Sequence, residues 1–217
     1  MRATGIVVAL SIAVATAGLA ACGSDSGSST APAGDAAAQS APANGAAGDG
    51  SAGDGSAARA QFGTGCGAIP ASGPGSSQGM ASDPVATAAS HNPVLSRLFG
   101  ALQKANLVDS LNNAQNITVF APANAAFEQL PGATLDRIVG DNAKLAKILT
   151  YHVVGRRVAP AELGAGNFAS LEGATVSTSG SGQDFKINGN ATVICGNVQT
   201  ANATVYIIDS LLQPPTK

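Results

Sequence analysis

The chain has 217 residues, of which 45% are hydrophobic, 4% aromatic and only 11% charged, with a formal net charge of −2. From Phe62 onward nine basic and nine acidic residues cancel (9 − 9 = 0), and the largest basic cluster is the pair Arg156-Arg157. A nucleic-acid partner needs a basic face or groove, and none is evident, so that class of partner is excluded.

The first segment is an export signal. Arg2 precedes an apolar run from Ile6 to Leu19, too short and too alanine-rich for a secure membrane span. The run ends in Leu19-Ala20-Ala21-Cys22, which resembles the lipobox of bacterial lipoproteins. The resemblance implies a signal peptide over 1–21, cleavage before Cys22, and a diacylglycerol on the Cys22 thiol. Each buried CH₂ contributes about 0.8 kcal/mol, and two acyl chains hold far better than one. The expected location is therefore the extracellular face of a bacterial plasma membrane, with the membrane itself as one partner. Residues 22–61 follow as a lipidated stalk. No Leu, Ile, Val, Met or aromatic residue occurs between Cys22 and Phe62, so this stretch cannot bury enough apolar area to offset its ordering entropy. A flexible chain of that length reaches roughly 35 Å. Asp25, Asp35, Asp49 and Asp54 against Arg59 make it acidic, 1 − 4 = −3.

Residues 62–83 read as a loosely structured segment, rich in Gly, Ser and Pro but containing Cys66, Ile69 and Met80. With Cys22 lipidated, Cys66 and Cys195 remain. An even pair outside the cell reads as a disulfide, here tying the loose segment to a late strand. A metal site is not expected, since no Cys-x-x-Cys exists and His91 and His152 are the only histidines.

The compact domain is expected over 84–217. Asn92 is a candidate N-cap with Pro93 at the first helical position, and Leu95, Leu98, Phe99 and Leu102 recur at helical spacing. Leu107, Val108 and Leu111 predict a short second helix. Ile117 to Phe120 is a β run that Pro122 stops. Asn124 starts a helix carrying Phe127 and Leu130, and Pro131-Gly132 ends it. Leu135, Ile138 and Val139 mark another turn or two. Asn142 is the expected cap of a longer helix with Leu145, Ile148, Leu149 and His152. Beyond Pro160 the period becomes two. Ala174 to Thr178 alternates, with a turn predicted over Ser179 to Gly182. Phe185 and Ile187 lead into Asn188-Gly189, a strong hairpin signal. Thr192 to Cys195 and Thr204 to Ile208 supply two more strands. Helices first and an antiparallel sheet afterwards, joined by one early strand, make an α+β domain.

Three segments then carry a family resemblance. Thr118-Val119-Phe120-Ala121-Pro122-Ala123-Asn124-Ala125-Ala126-Phe127, Leu149-Thr150-Tyr151-His152-Val153-Val154, and Asn202 to Leu212 resemble, in order, the signatures of fasciclin (FAS1) domains. Asp83 to Ser90 with the two downstream cysteines is similar to the mycobacterial antigens of that family. The resemblance implies a β-wedge with packed helices, no enzymatic activity, no cofactor, and adhesion or recognition at a surface. Ala123 stands where the family usually has Thr, and Gly155-Arg156-Arg157 shortens and charges the connection after the second signature.

No Gly-x-Ser-x-Gly elbow, His-Glu-x-x-His motif or nucleotide loop is present, and catalytic residues are not expected. His152, in an apolar helical stretch, reads as a hydrogen-bonded structural histidine. The candidate interaction surface is Tyr151, His152, Arg156 and Arg157, with Tyr151 and His152 mainly structural and the two arginines facing the partner. That partner is a surface or matrix protein or a glycan. The alternative is an envelope-associated lipoprotein that binds a lipid or glycan. The Asn-x-Thr triplets at Asn116, Asn190 and Asn202 are read as chance.

Overall fold

The structure, a computed structural model, describes residues 60–215. The signal sequence, Cys22 and the stalk through Arg59 lie outside the described residues. The segment predicted to be loose is well seated. Phe62 forms an antiparallel bridge with Gly196, a 3-10 turn covers Thr64–Ala68, and helix α1 spans Ser77–Ser82. The Phe62 ring lies where a Cβ on residue 196 would stand, so only glycine admits it. The ring packs edge-on against Phe185 at 5.4 Å. Ser76 Oγ accepts the Gly79 N–H at 3.1 Å and caps α1, whose Met80 is buried in the helical core.

Helix α2 (Val85–His91) buries Val85, Ala86, Ala88 and Ala89. Asn92 Oδ1 accepts the Val94 N–H at 2.9 Å, capping a 3-10 turn that runs into α3 (Ser96–Lys104). Helix α4 is Val108–Asn113. After strand β1 (Ile117–Pro122), α5 covers Asn124–Glu128. Pro131 is the N-cap of a nine-residue helix α6 (Gly132–Gly140), longer than the turn or two predicted. The last helix, α7, is Asn142–Tyr151. Its cap is Asp141 rather than Asn142. The Asp141 carboxylate accepts the N–H groups of Ala143 and Lys144 at 3.0 and 3.1 Å. These bonds, the Lys144 backbone first and then its ammonium, hold the Asp141 carboxyl below the usual carboxylate range.

Strand β2 (Val153–Val154) follows at once. A 3-10 turn at Pro160–Gly164 then leads into β3 (Ala165–Ala169), β4 (Thr175–Ser181), β5 (Asp184–Ile187), β6 (Ala191–Gln199) and β7 (Ala203–Ile208). The sheet order is β2-β1-β7-β6-β5-β4-β3. A bridge from Val154 to Ser170 brings its two ends together. The early strand joins the sheet as predicted, and it does so in parallel with β7, Ile117 opposite Ala203. Strand β4 runs through the predicted turn to Ser181, and the chain reverses at Gly182 (φ 64°). The Asn188-Gly189 hairpin is present, with φ of 53° and 69° at the two residues.

Alternation along β1 and β7 divides the interior in two. Ile117, Val119, Ala121, Ala203, Val205 and Ile207 face the helices. Phe120, Tyr206 and Ile208 point into the wedge between the sheet's two arms, with Phe168, Val176, Phe185 and Ile187. Removing this much apolar surface from water is the main favourable term.

Candidate functional site

Tyr151 ends α7 and His152 follows it, so their side chains leave the helix where it meets the sheet. Tyr151 enters the wedge core. Its hydroxyl donates to the Thr175 carbonyl at 3.0 Å and accepts from Asn188 Nδ2 at 2.8 Å. His152 is 1% exposed. Its Nδ1–H donates to the Ile148 carbonyl at 2.8 Å, and its Nε2 accepts the Leu212 N–H at 3.0 Å. Burial pushes its pKa down to about 4, and the Ile148 bond opposes the shift only in part. With both ring nitrogens bonded to backbone and no access to solvent, this imidazole has no free position for a substrate proton. Neither side chain reaches the surface, which corrects their inclusion in the candidate interaction surface.

The two arginines are not equivalent. Gly155 is exposed and carries the chain out of β2. Thr118 Oγ1 then donates to the Arg156 carbonyl at 2.7 Å and accepts the Val158 N–H at 2.8 Å, fixing this connection from beneath. The Arg156 side chain is 52% exposed and pairs with Glu162 at 2.7 Å. Its guanidinium sits 4.8 Å from the centroid of the Phe168 ring. Glu162 also accepts the Ala159 N–H at 2.8 Å, and that bond, then Arg156, lowers its pKa. Beside this corner lies Leu171, 51% exposed and against Gly155. Arg157 turns the other way. It donates to Gln199 Oε1 at 2.9 Å, Thr204 Oγ1 at 3.3 Å, and the Thr200 and Ala201 carbonyls at 3.4 Å. Of the two arginines expected to face a partner, only Arg156 has an exposed side chain. Arg157 is half-buried and clamps the β6–β7 turn.

Cys66 and Cys195 are bonded, S–S 1.99 Å, across a sequence separation of 129. Cys22 lies outside the described residues. Among the described residues no group of three or more His, Cys, Asp or Glu side chains could hold a metal, and no helix is long and apolar enough to cross a membrane. Sequence reasoning missed Asn202. Its Oδ1 accepts the Val85 N–H at 2.8 Å, while its Nδ2 donates to the carbonyls of Leu111 at 2.8 Å and Ala114 at 2.7 Å. One buried side chain thus closes the start of α2 and the end of α4 against the β6–β7 turn. The only sequence signal was a polar residue inside the third signature.

The profile of the Fasciclin domain matches residues 93–214, which hold β1, the Tyr151-His152 corner and all seven strands of the sheet. The chain belongs to the fasciclin family. It is 50% identical over 161 residues to the immunogenic protein MPT70 of Mycobacterium tuberculosis, covering 70% of this chain and 82% of that protein. Identity is 48% over 163 residues to the cell surface glycolipoprotein MPT83 of the same organism, covering 71% and 73%. A FAS1 domain pair from the insect cell adhesion molecule Fasciclin I superposes with a TM-score of 0.51 at 17% identity. That match covers 62% of this chain and about half (52%) of the other, and it shows the fold alone.

Membership of the fasciclin family is consistent with a non-enzymatic role. The fasciclin domain here keeps the tyrosine–histidine pair as a core device. It departs at Ala123, the N-cap of α5, which makes no side-chain cap bond.

Proposed function

We propose that this chain is a non-enzymatic surface lipoprotein, anchored through Cys22, whose fasciclin domain recognises an acidic surface or matrix partner. The observation that carries the reading is Arg156. Its cation is half-exposed, held by Glu162 with its guanidinium carbon 4.8 Å from the Phe168 ring centroid, and set beside the exposed Leu171. A guanidinium fixed in one orientation loses little entropy when it forms a paired contact with a carboxylate or sulfate. The glycolipoprotein name of one relative and the cell-adhesion name of the insect structure support the location and the role. The order of h-region, small residues and cysteine supports the anchor.

The test displays the whole chain on cells and measures attachment to immobilised matrix and envelope glycans. Cys22→Ala is expected to release the protein from membranes and abolish palmitate labelling. Arg156→Ser is expected to weaken attachment at low salt and to matter little at high salt, since the screening length falls from about 10 Å at 0.1 M to about 3 Å at 1 M. Unchanged attachment of the Arg156→Ser protein at low salt would refute the reading.

A further inference from the structure

A second surface, independent of the Arg156 corner, has the features of a ligand site. Helix α6 buries none of its side chains, and Leu135, Ile138 and Val139 remain half-buried on one face. Between α6, α7 and the segment after β7 lies an open groove of about 490 Å³, within the roughly 300–1,000 Å³ of small-molecule sites. Ile138, Ile148 and Pro214 supply apolar lining, and Arg137, Lys144 and Lys147 supply its charge.

No carboxylate lines the groove. Lys144 and Lys147 pair with Asp141 and Glu172, each at 3.3 Å, and both acids stand outside it. Arg137 forms no ion pair among the described residues. Its Nε and Nη2 donate only to Ala133 O and Thr134 Oγ1 of its own helix. The wall bearing Pro214 is tied to the core two residues earlier, by the Leu212 N–H on His152 Nε2. A groove with this wall tied down, apolar side chains along part of its lining and cations as its only charged lining residues is complementary to an anionic head on an alkyl chain.

We infer that the α6–α7 groove binds a single-chain anionic amphiphile of the fatty-acid class. Its head meets Arg137 and Lys144, and its tail lies along Ile138 and Ile148. The concave apolar lining favours such a molecule over an acidic protein surface, which would engage the cations alone.

The experiment titrates the mature chain with sodium decanoate below its micelle concentration, by calorimetry and by NMR of isoleucine methyl groups. Decyltrimethylammonium and butyrate serve as controls. Decanoate is expected to bind and to shift the Ile138 and Ile148 methyls, and neither control should do so. Arg137→Gln with Lys144→Gln should weaken binding about tenfold, the effect of two solvent-screened charge contacts, and remove most of its salt dependence. Lys147 is left intact because its partner Glu172 is only 13% exposed. A melting curve confirms that the double variant folds. Equal binding of decyltrimethylammonium, no effect of the double variant, or methyl shifts elsewhere would overturn the inference. So would adsorption to anionic vesicles without binding of monomeric decanoate.

Discussion

Replacing His152 by Ala separates a structural histidine from a functional one. The substitution leaves the Leu212 N–H without its acceptor and the Ile148 carbonyl without the ring donor. One unmet buried polar group costs about 1–3 kcal/mol. The vacated space adds a cavity term, and large-to-Ala changes in cores total about 3–5 kcal/mol. For a domain of this size each kcal/mol lowers Tm by about 2–4 °C, so a fall of roughly 10 °C is expected at pH 7. The dependence on pH is sharper still. The unfolded imidazole protonates near 6.5, whereas the folded one resists until about 4. Between those values the unfolded state binds more protons, so the wild type loses stability as pH falls. The variant carries no such contribution. At about 1.4 kcal/mol per pH unit, the gap between the two proteins should narrow by about 3 kcal/mol from pH 7 to pH 4. Urea midpoints measured in parallel at matched pH decide it. A gap that stays constant across the range would refute the burial of a neutral imidazole at this position.

Three further outcomes follow from the same contacts. Arg157→Ser should cost about 1–3 kcal/mol, because it leaves partly buried acceptors at the β6–β7 turn unmet, while Arg156→Ser should stay within about 1 kcal/mol, as exposed ion pairs do; denaturation curves of the two single variants should differ accordingly. Asn202→Ala unties α2 and α4 together, and a loss of about 3 kcal/mol or more is expected from its several buried bonds, with hydrogen exchange rising first at Val85 and Ala114. Reducing Cys66–Cys195 should lower stability by about 2–4 kcal/mol, and limited proteolysis should then cut near Phe62 to Ile69 while the sheet remains.

The sequence disclosed what depends on near neighbours and hid what depends on distant ones. Asn92-Pro93 works through a side-chain cap two residues on and Asn188-Gly189 through its own backbone dihedrals, and both lie where the pattern puts them. Strand β7 was legible as a near-continuous apolar run because it is buried on both faces. Strand β3 went unseen because Ala165–Ala169 contains one large apolar residue, Phe168, and its outer residues meet solvent. Helix α2 went unpredicted, since its buried face is mostly alanine and a periodic pattern of small residues is faint. The cap of α7 shifted by one residue because Asp141 and Asn142 are both good caps, and a helix boundary is the least secure reading. The separation of Arg156 from Arg157 rests on partners 42 to 47 residues away, and no local rule reports that. Asn202 was hidden for the same reason.

The bond between residue 66 and residue 195 also sets a mechanical route. Tension applied at Gln61 first meets the Phe62–Gly196 bridge and, just beyond it, a covalent link into β6. The load therefore bypasses the helices from α1 to α7, which lie on the 129-residue detour between the two cysteines. Pulling cannot peel them away one after another from the N-terminal side. Strand β6 becomes the point of suspension, flanked by β5 and β7. Under drag, such a domain hangs from the middle of its sheet, and the Arg156 corner and the α6–α7 groove stay out of the line of force.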